Sequence, residues 1–285
     1  MSEVFLPLIA SLLCFILFLA PTGLKKYFSA GGWIFLTLVF LSVSFSHIPE
    51  NEFVYPILAL IALPFVALTV KGALESNPIV FQLSAVAAIA FTIYALLVFV
   101  EPAANFMIAA QVKSTAAALN AIGHTTSIYA WDTMMSGGYF VQITVSCTPV
   151  VGAAVMLGLA IGPAGTPLQK FAGAVYAIVS LIVINLLRLV FVVIAYSDQW
   201  FPFFAEVVSG GFAGFESFYW AHNVMARILF SAIAIAVTGG GLMLIIPDLK
   251  KFYIDSLKYY YYGLKETKTA IVSTLNSALK SEKTE

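Results

Sequence analysis

Polar residues in this chain fall in short clusters, and the apolar stretches between them are longer than a soluble core needs. A helix crossing a bilayer takes about 20 mostly apolar residues. Seven stretches answer to that description: 4–21, 30–47, 53–70, 79–100, 147–163, 171–196 and 223–246. The fifth is short and rich in glycine. A different pattern fills the gap before it. Residues 101–126 open on Glu101-Pro102 and read as a weakly amphipathic helix that Gly123 terminates. The segment SIYAWDTMMSGGYFVQITVS then alternates around Gly137-Gly138, which predicts a β-hairpin. The expected fold is an all-α polytopic membrane protein of about seven transmembrane helices, with a small extracellular helix and β-hairpin before the fifth span.

Composition agrees. Of 285 residues, 61% are hydrophobic and 10% charged, against about 25% charged in soluble domains. The net charge of zero points to no nucleic-acid partner. Two cysteines make no disulfide framework, and Cys14, in the middle of the first span, reads as a small core hydrophobe. The first span has neither a basic flank nor an Ala-x-Ala site, so it reads as a retained helix.

Charge between the spans sets an orientation. Lys25, Lys26, Lys71, Lys170 and the lysines from Lys250 onward fall on one side. The other side has Lys113 among Glu50, Glu52, Glu101, Asp132, Asp198, Glu206 and Glu216. By the positive-inside rule the chain is a multi-pass cell-membrane protein, N-terminus outside and C-terminus cytoplasmic. Residues 1–247 are then the membrane domain, with a long aromatic-rich outer connection over 197–222. Residues 248–285 form a cytoplasmic amphipathic tail, in which lysines and the Tyr259–Tyr262 run suit an anionic leaflet.

Two charges lie clearly within spans, Arg188 and Arg227. Each costs about 2.5–3.5 kcal/mol near a span centre, so each needs a partner, a cavity or a ligand. At 1.5 Å per residue, Arg188 lies about 12 Å and Arg227 about 7 Å inside the outer boundary. Cys147 opens the fifth span on the same side. Ion pairing with Asp132, Asp198, Glu206 or Glu216, or snorkelling, are the alternatives to a functional role. Asn185 shares a helical face with Arg188 and serves either to orient it or to pack. Two guanidinium groups favour a thiolate at Cys147, and they can receive the oxyanion formed when it attacks a carbonyl. Arginine cannot act as a base. His222, one turn before Arg227, is the available acid, or else an interfacial histidine of the aromatic belt. The scattered histidines and cysteines offer no metal site, and no cofactor is expected.

The order of these residues, Cys147 in SCTP, Arg188 in NLLRL, His222 and Arg227 in HNVMAR, resembles the exosortase/archaeosortase family. It looks most like the archaeosortase A subfamily, whose third essential position is arginine where bacterial exosortases use histidine. The resemblance spans roughly 80–246, which would be the catalytic part. It implies a membrane cysteine transpeptidase with Cys147 as nucleophile, Arg188 as oxyanion and thiolate stabiliser, and Arg227 as third catalytic member. Substrates would be surface-protein precursors with a C-terminal signal: a short motif (Pro-Gly-Phe in that subfamily), a membrane helix and basic residues. The acyl group would pass to an amine of a membrane lipid. One departure is that Thr148-Pro149 follows the cysteine where exosortases tend to have Ser-Gly. The rival class is an anion transporter or channel using the same arginines, which has no need of Cys147.

Overall fold

A computed structural model gives the fold and describes residues 2–46, 54–208 and 214–281. Its longer helices are α1 (Ser2–Leu19), α2 (Lys25–Ser46), α3 (Val54–Leu74), α4 (Pro78–Phe99), α5 (Glu101–Ala121), α6 (Val150–Ile161), α7 (Pro167–Ser197), α8 (Phe215–Ile245) and α9 (Pro247–Ser281). Five of them, α2, α3, α4, α7 and α8, are long and apolar enough to cross a bilayer, as in an all-α membrane protein. The acidic loop carrying Glu50 and Glu52, and the chain end with Lys283, lie outside the described residues.

Of the other two expected spans, α1 has 18 residues, Ser2–Leu19, and α6 has 12. Twelve residues rise about 18 Å, well under the roughly 30 Å of a hydrocarbon core. Local chemistry sets the ends of α6. A 3₁₀ turn, Val145–Cys147, precedes Thr148 and Pro149, so Cys147 stands ahead of the helix and outside it. Gly162-Pro163 closes the other end, where a ring without an N–H cannot continue the ladder.

The chain forms two compact units. One comprises Met1–Ala88, Gly162–Ala164 and Asp248–Glu285. Here α1, α2 and α3 pack in sequence, and Ser84 of α4 bonds Ser29 Oγ (2.7 Å) and accepts from Trp33 Nε1 (2.9 Å). The tail belongs to this unit. Tyr259 donates to the Leu68 carbonyl at 2.8 Å, Tyr260 bonds Thr69 Oγ1 at 2.6 Å, and Tyr261 and Tyr262 remain exposed. Two of the four tyrosines therefore dock α9 onto α3.

The other unit is Ile89–Ile161 and Gly165–Pro247. Thr166 and Gln169 form a reciprocal capping box that starts α7, with Pro167 in the first turn. The segment between α5 and α6 is a three-stranded antiparallel sheet of β1 (Thr126–Ala130), β2 (Thr133–Ser136) and β3 (Tyr139–Gln142), in that order. Gly137 and Gly138 take φ of 57° and 85° between the paired Ser136 and Tyr139, as a two-residue hairpin loop requires. Ile108, Val112 and Leu119 of α5, Met134 and Val141 of the sheet, and Leu189 and Val193 of α7 form one core with Ile143 and Cys147. His124 fastens the sheet to the end of α7. Its Nδ1 lies 3.0 Å from Ser136 Oγ, and its Nε2 lies 3.0 Å from Ser197 Oγ and 3.2 Å from Asp198 Oδ1.

Candidate active site

Cys147 ends its 3₁₀ turn buried, at 8% exposure. Thr144, the residue before that turn, places its hydroxyl 3.6 Å from the sulfur and accepts the Cys147 N–H at its carbonyl. Burial pushes the thiol up, but hydrogen bonding from His222 and Thr144 and the charge of His222 outweigh it. The net result is a thiol lowered to about 7. That is the range in which a cysteine is both substantially ionised and still a good nucleophile at neutral pH.

Arg188 comes from the middle of α7. Asn185, one turn earlier, accepts from its Nη1 at 3.5 Å, while the Asn185 amide donates to the Cys147 carbonyl at 3.0 Å and to Gln111 Oε1 of α5 at 3.1 Å. Among the described residues no carboxylate pairs with Arg188, and its Nε is buried without a partner. Three of the four carboxylates considered from sequence have other surroundings. Asp132 accepts from Gln142 and Thr133, Asp198 meets His124, and Glu216 is buried near Tyr196. Arg188 is instead tied to Cys147 through Asn185, which accepts from its Nη1 and donates to the Cys147 carbonyl.

The third contribution comes from α8, whose segment Tyr219–Phe230 is π-helical. An α-helix turns about 100° per residue and would set Arg227 about 140° around the axis from His222. A π-helix closes its hydrogen bonds five residues along and turns about 80° per residue, which reduces that angle to roughly 40°. His222, Asn223 and Arg227 consequently face one cavity. His222 is held on two sides: Nδ1 lies 2.9 Å from Asn223 Oδ1, and the ring stacks on Phe218 at 5.0 Å between centroids. With Nδ1 engaged, Nε2 is the nitrogen available to the Cys147 thiol.

The cavity, about 370 Å³, is lined by Ser146, Arg188, His222, Asn223, Arg227 and Ser231. Ser146, Arg188 and Ser231 also border an apolar slot of about 350 Å³ that runs between Val151, Val155 and Leu181 on one side and Phe230, Ala234 and Ile235 on the other. This polar chamber and the apolar slot thus share part of their lining. All five residues singled out from sequence belong to this neighbourhood. His222 interacts with the thiol, Arg188 and Arg227 line the chamber, and Asn185 borders the slot and bonds Arg188. Sequence reasoning missed Thr144, Asn223 and Gln111. Asn223 adjoins His222 in the chain and Thr144 sits one turn from Cys147, but Gln111 carries no local signal.

The His124 cluster has the composition of a serine hydrolase triad, Ser136–His124–Asp198. Ser136, however, is 3% exposed and shares its hydroxyl with Thr126 at 3.1 Å, which fits a clamp and leaves no room for a substrate. Among the described residues, no group of His, Cys, Asp and Glu is arranged to hold a metal ion. Compared with known proteins, the chain matches no protein-family model, no curated protein and no solved structure.

Proposed function

We propose that this protein is a membrane cysteine transpeptidase that cuts a C-terminal sorting signal from surface-protein precursors. The acyl group then passes to an amine, carried by a membrane lipid. One observation supports the reading above the rest: two arginines and an oriented imidazole, distant in sequence, line one chamber, and that imidazole interacts with an acidified thiol. The order of those residues, which resembles the exosortase/archaeosortase family, supports the same reading.

The chemistry follows from the parts. His222 Nε2 takes the Cys147 proton, giving a thiolate–imidazolium pair. The thiolate attacks the scissile carbonyl carbon, and Arg188 stabilises the resulting oxyanion with its donor fork. The C–N bond breaks, the leaving amine takes the proton from His222, and a thioester remains on Cys147. The acceptor amine attacks the thioester, gives its proton to His222, and restores the thiol. Arg227 adds positive charge to the chamber, in keeping with the third catalytic position that the resemblance assigns to it.

On this reading the chamber faces outside, α6 crosses only part of the bilayer, and the apolar slot opens toward lipid. Mass spectrometry of surface-protein C-termini, with and without active Cys147, tests it. Shortened, lipid-linked ends that vanish in Cys147→Ala support the transpeptidase. Intact ends in both, with anion flux surviving in Cys147→Ala, would establish the transporter instead.

A further inference from the structure

Gln111 stands out among the residues of α5. The buried face of that helix is otherwise Ala104, Ile108, Val112, Thr115, Ala116 and Leu119, while Gln111 places an amide there at 6% exposure. A buried amide is costly unless paired, and leucine or methionine would fill the space without that cost. No residue of α5 lines the chamber or the slot. Gln111 therefore reaches no substrate, and any influence it has passes through Asn185.

The hydrogen bonds fix the direction of that influence. The Cys147 carbonyl can only accept, so the Asn185 amide nitrogen must face it, at 3.0 Å. The second N–H of the same nitrogen meets Gln111 Oε1 at 3.1 Å. With both donors committed, Asn185 Oδ1 turns to Arg188 Nη1. Removing the Gln111 acceptor strands an N–H in a site that is 7% exposed, and such a loss drives a side chain to reorient.

We propose that Gln111 is a positioning residue of this site: by holding Asn185 in one orientation, it fixes both the Cys147 carbonyl and the Arg188 guanidinium that Asn185 bonds. The proposal rests on the catalytic reading above, and its test is chosen to stand apart from it. The test uses the full chain in lipid nanodiscs, with Cys14→Ala so that a single thiol reacts. The alkylation rate of Cys147 by iodoacetamide is measured against pH, which requires no substrate.

Gln111→Met should slow alkylation at pH 7 about tenfold, the effect of one buried hydrogen bond, and move the midpoint to higher pH. Gln111→Glu keeps an acceptor oxygen at the same reach and should recover part of the rate, since its added charge opposes the thiolate. In an Asn185→Leu background, Gln111→Met should add nothing, because the two residues act in series. A residue that merely packs would give additive losses and no rescue by glutamate. Should Gln111→Met not accumulate, Gln111→Asn decides: it keeps an amide but is one methylene short, and must show the same slowing. Wild-type alkylation in Gln111→Met or Gln111→Asn, or additivity with Asn185→Leu, overturns the proposal. Where a sorting-signal peptide is turned over, kcat should fall with KM unchanged. A wild-type chain inert toward such peptides defeats the transpeptidase reading, while the alkylation rates still decide the role of Gln111.

Discussion

His222 Nδ1 lies 2.9 Å from Asn223 Oδ1, and this contact between neighbouring residues orients the imidazole toward Cys147. The consequence can be read as pH dependence. Cys147 is lowered to about 7 although burial raises it, and His222 is the largest of the opposing influences. Because the folded value is depressed, the thiolate is present above about pH 7 and is lost as pH falls through that value. Alkylation in the wild type should therefore rise to a plateau with a midpoint near 7. In His222→Gln burial acts with less opposition, and the midpoint should move above the wild-type value. An unchanged midpoint would show that the imidazole does not act on the thiol.

Cys147→Ala should abolish processing of a reporter carrying the C-terminal signal, while the chain still inserts and accumulates. Cys147→Ser should be nearly as inactive, since a hydroxyl in this setting stays far from ionisation. Reporter cleavage scored beside membrane yield checks both. Near-normal processing by the serine variant would make His222 a far stronger base than proposed.

Arg188→Lys keeps the charge and loses the planar fork of donors, so turnover should fall about 100- to 1000-fold, the usual cost of one oxyanion donor. Folded protein should fall little. Arg188→Leu removes a guanidinium whose Nε is buried without a partner, so yield should hold or rise while processing is lost. An active leucine variant refutes the catalytic role.

A membrane-impermeant thiol reagent should label Cys147 in sealed cells and leave Cys14 unmodified, in line with the lysine distribution. Labelling that appears only after permeabilisation would invert the orientation.

Gly137→Ala tests the clamp between the sheet and α7. Gly137 has φ of 57°, and a Cβ there would lie 2.8 Å from Ser197 Cβ. The left-handed conformation alone costs about 1–2 kcal/mol for an L-residue, and the clash adds to it. Thermal unfolding in detergent should show a clear loss of stability, with the companion change Gly138→Ala milder because open space surrounds that position.

Much of the site was legible because the bilayer makes polarity conspicuous. Arg188 and Arg227 interrupt apolar runs, and Cys147 and His222 stand at run ends, so hydropathy alone picks out all four. Asn185 was legible from its spacing to Arg188 alone. Gln111 escaped notice because its partner lies in a different helix, and a single glutamine in a weakly amphipathic segment looks like any solvated residue. The start of α6 was harder to read. A sliding window averages across Pro149, whereas the helix begins only after it. Nor could hydropathy foresee the π-helical turn of α8, since a wheel drawn at about 100° per residue separates Arg227 from His222. The β-hairpin signal at Gly137-Gly138 was strong, and β1 escaped only because the turn at Trp131-Asp132 carries no glycine.

The brevity of α6 has a kinetic consequence on the proposed topology. A thiol at the tip of a stub about 18 Å long would lie below the outer membrane face, beside a chamber open to the outside. Collisions with it are then governed by what diffuses in two dimensions and dwells at that depth. A dissolved peptide of the right sequence is scarce there, while a tethered one is concentrated by its own anchor. On the proposed chemistry, an amine moving in the same plane would likewise be concentrated near the thioester. Confinement of the nucleophile thus gives selection by partitioning, ahead of any recognition of side chains.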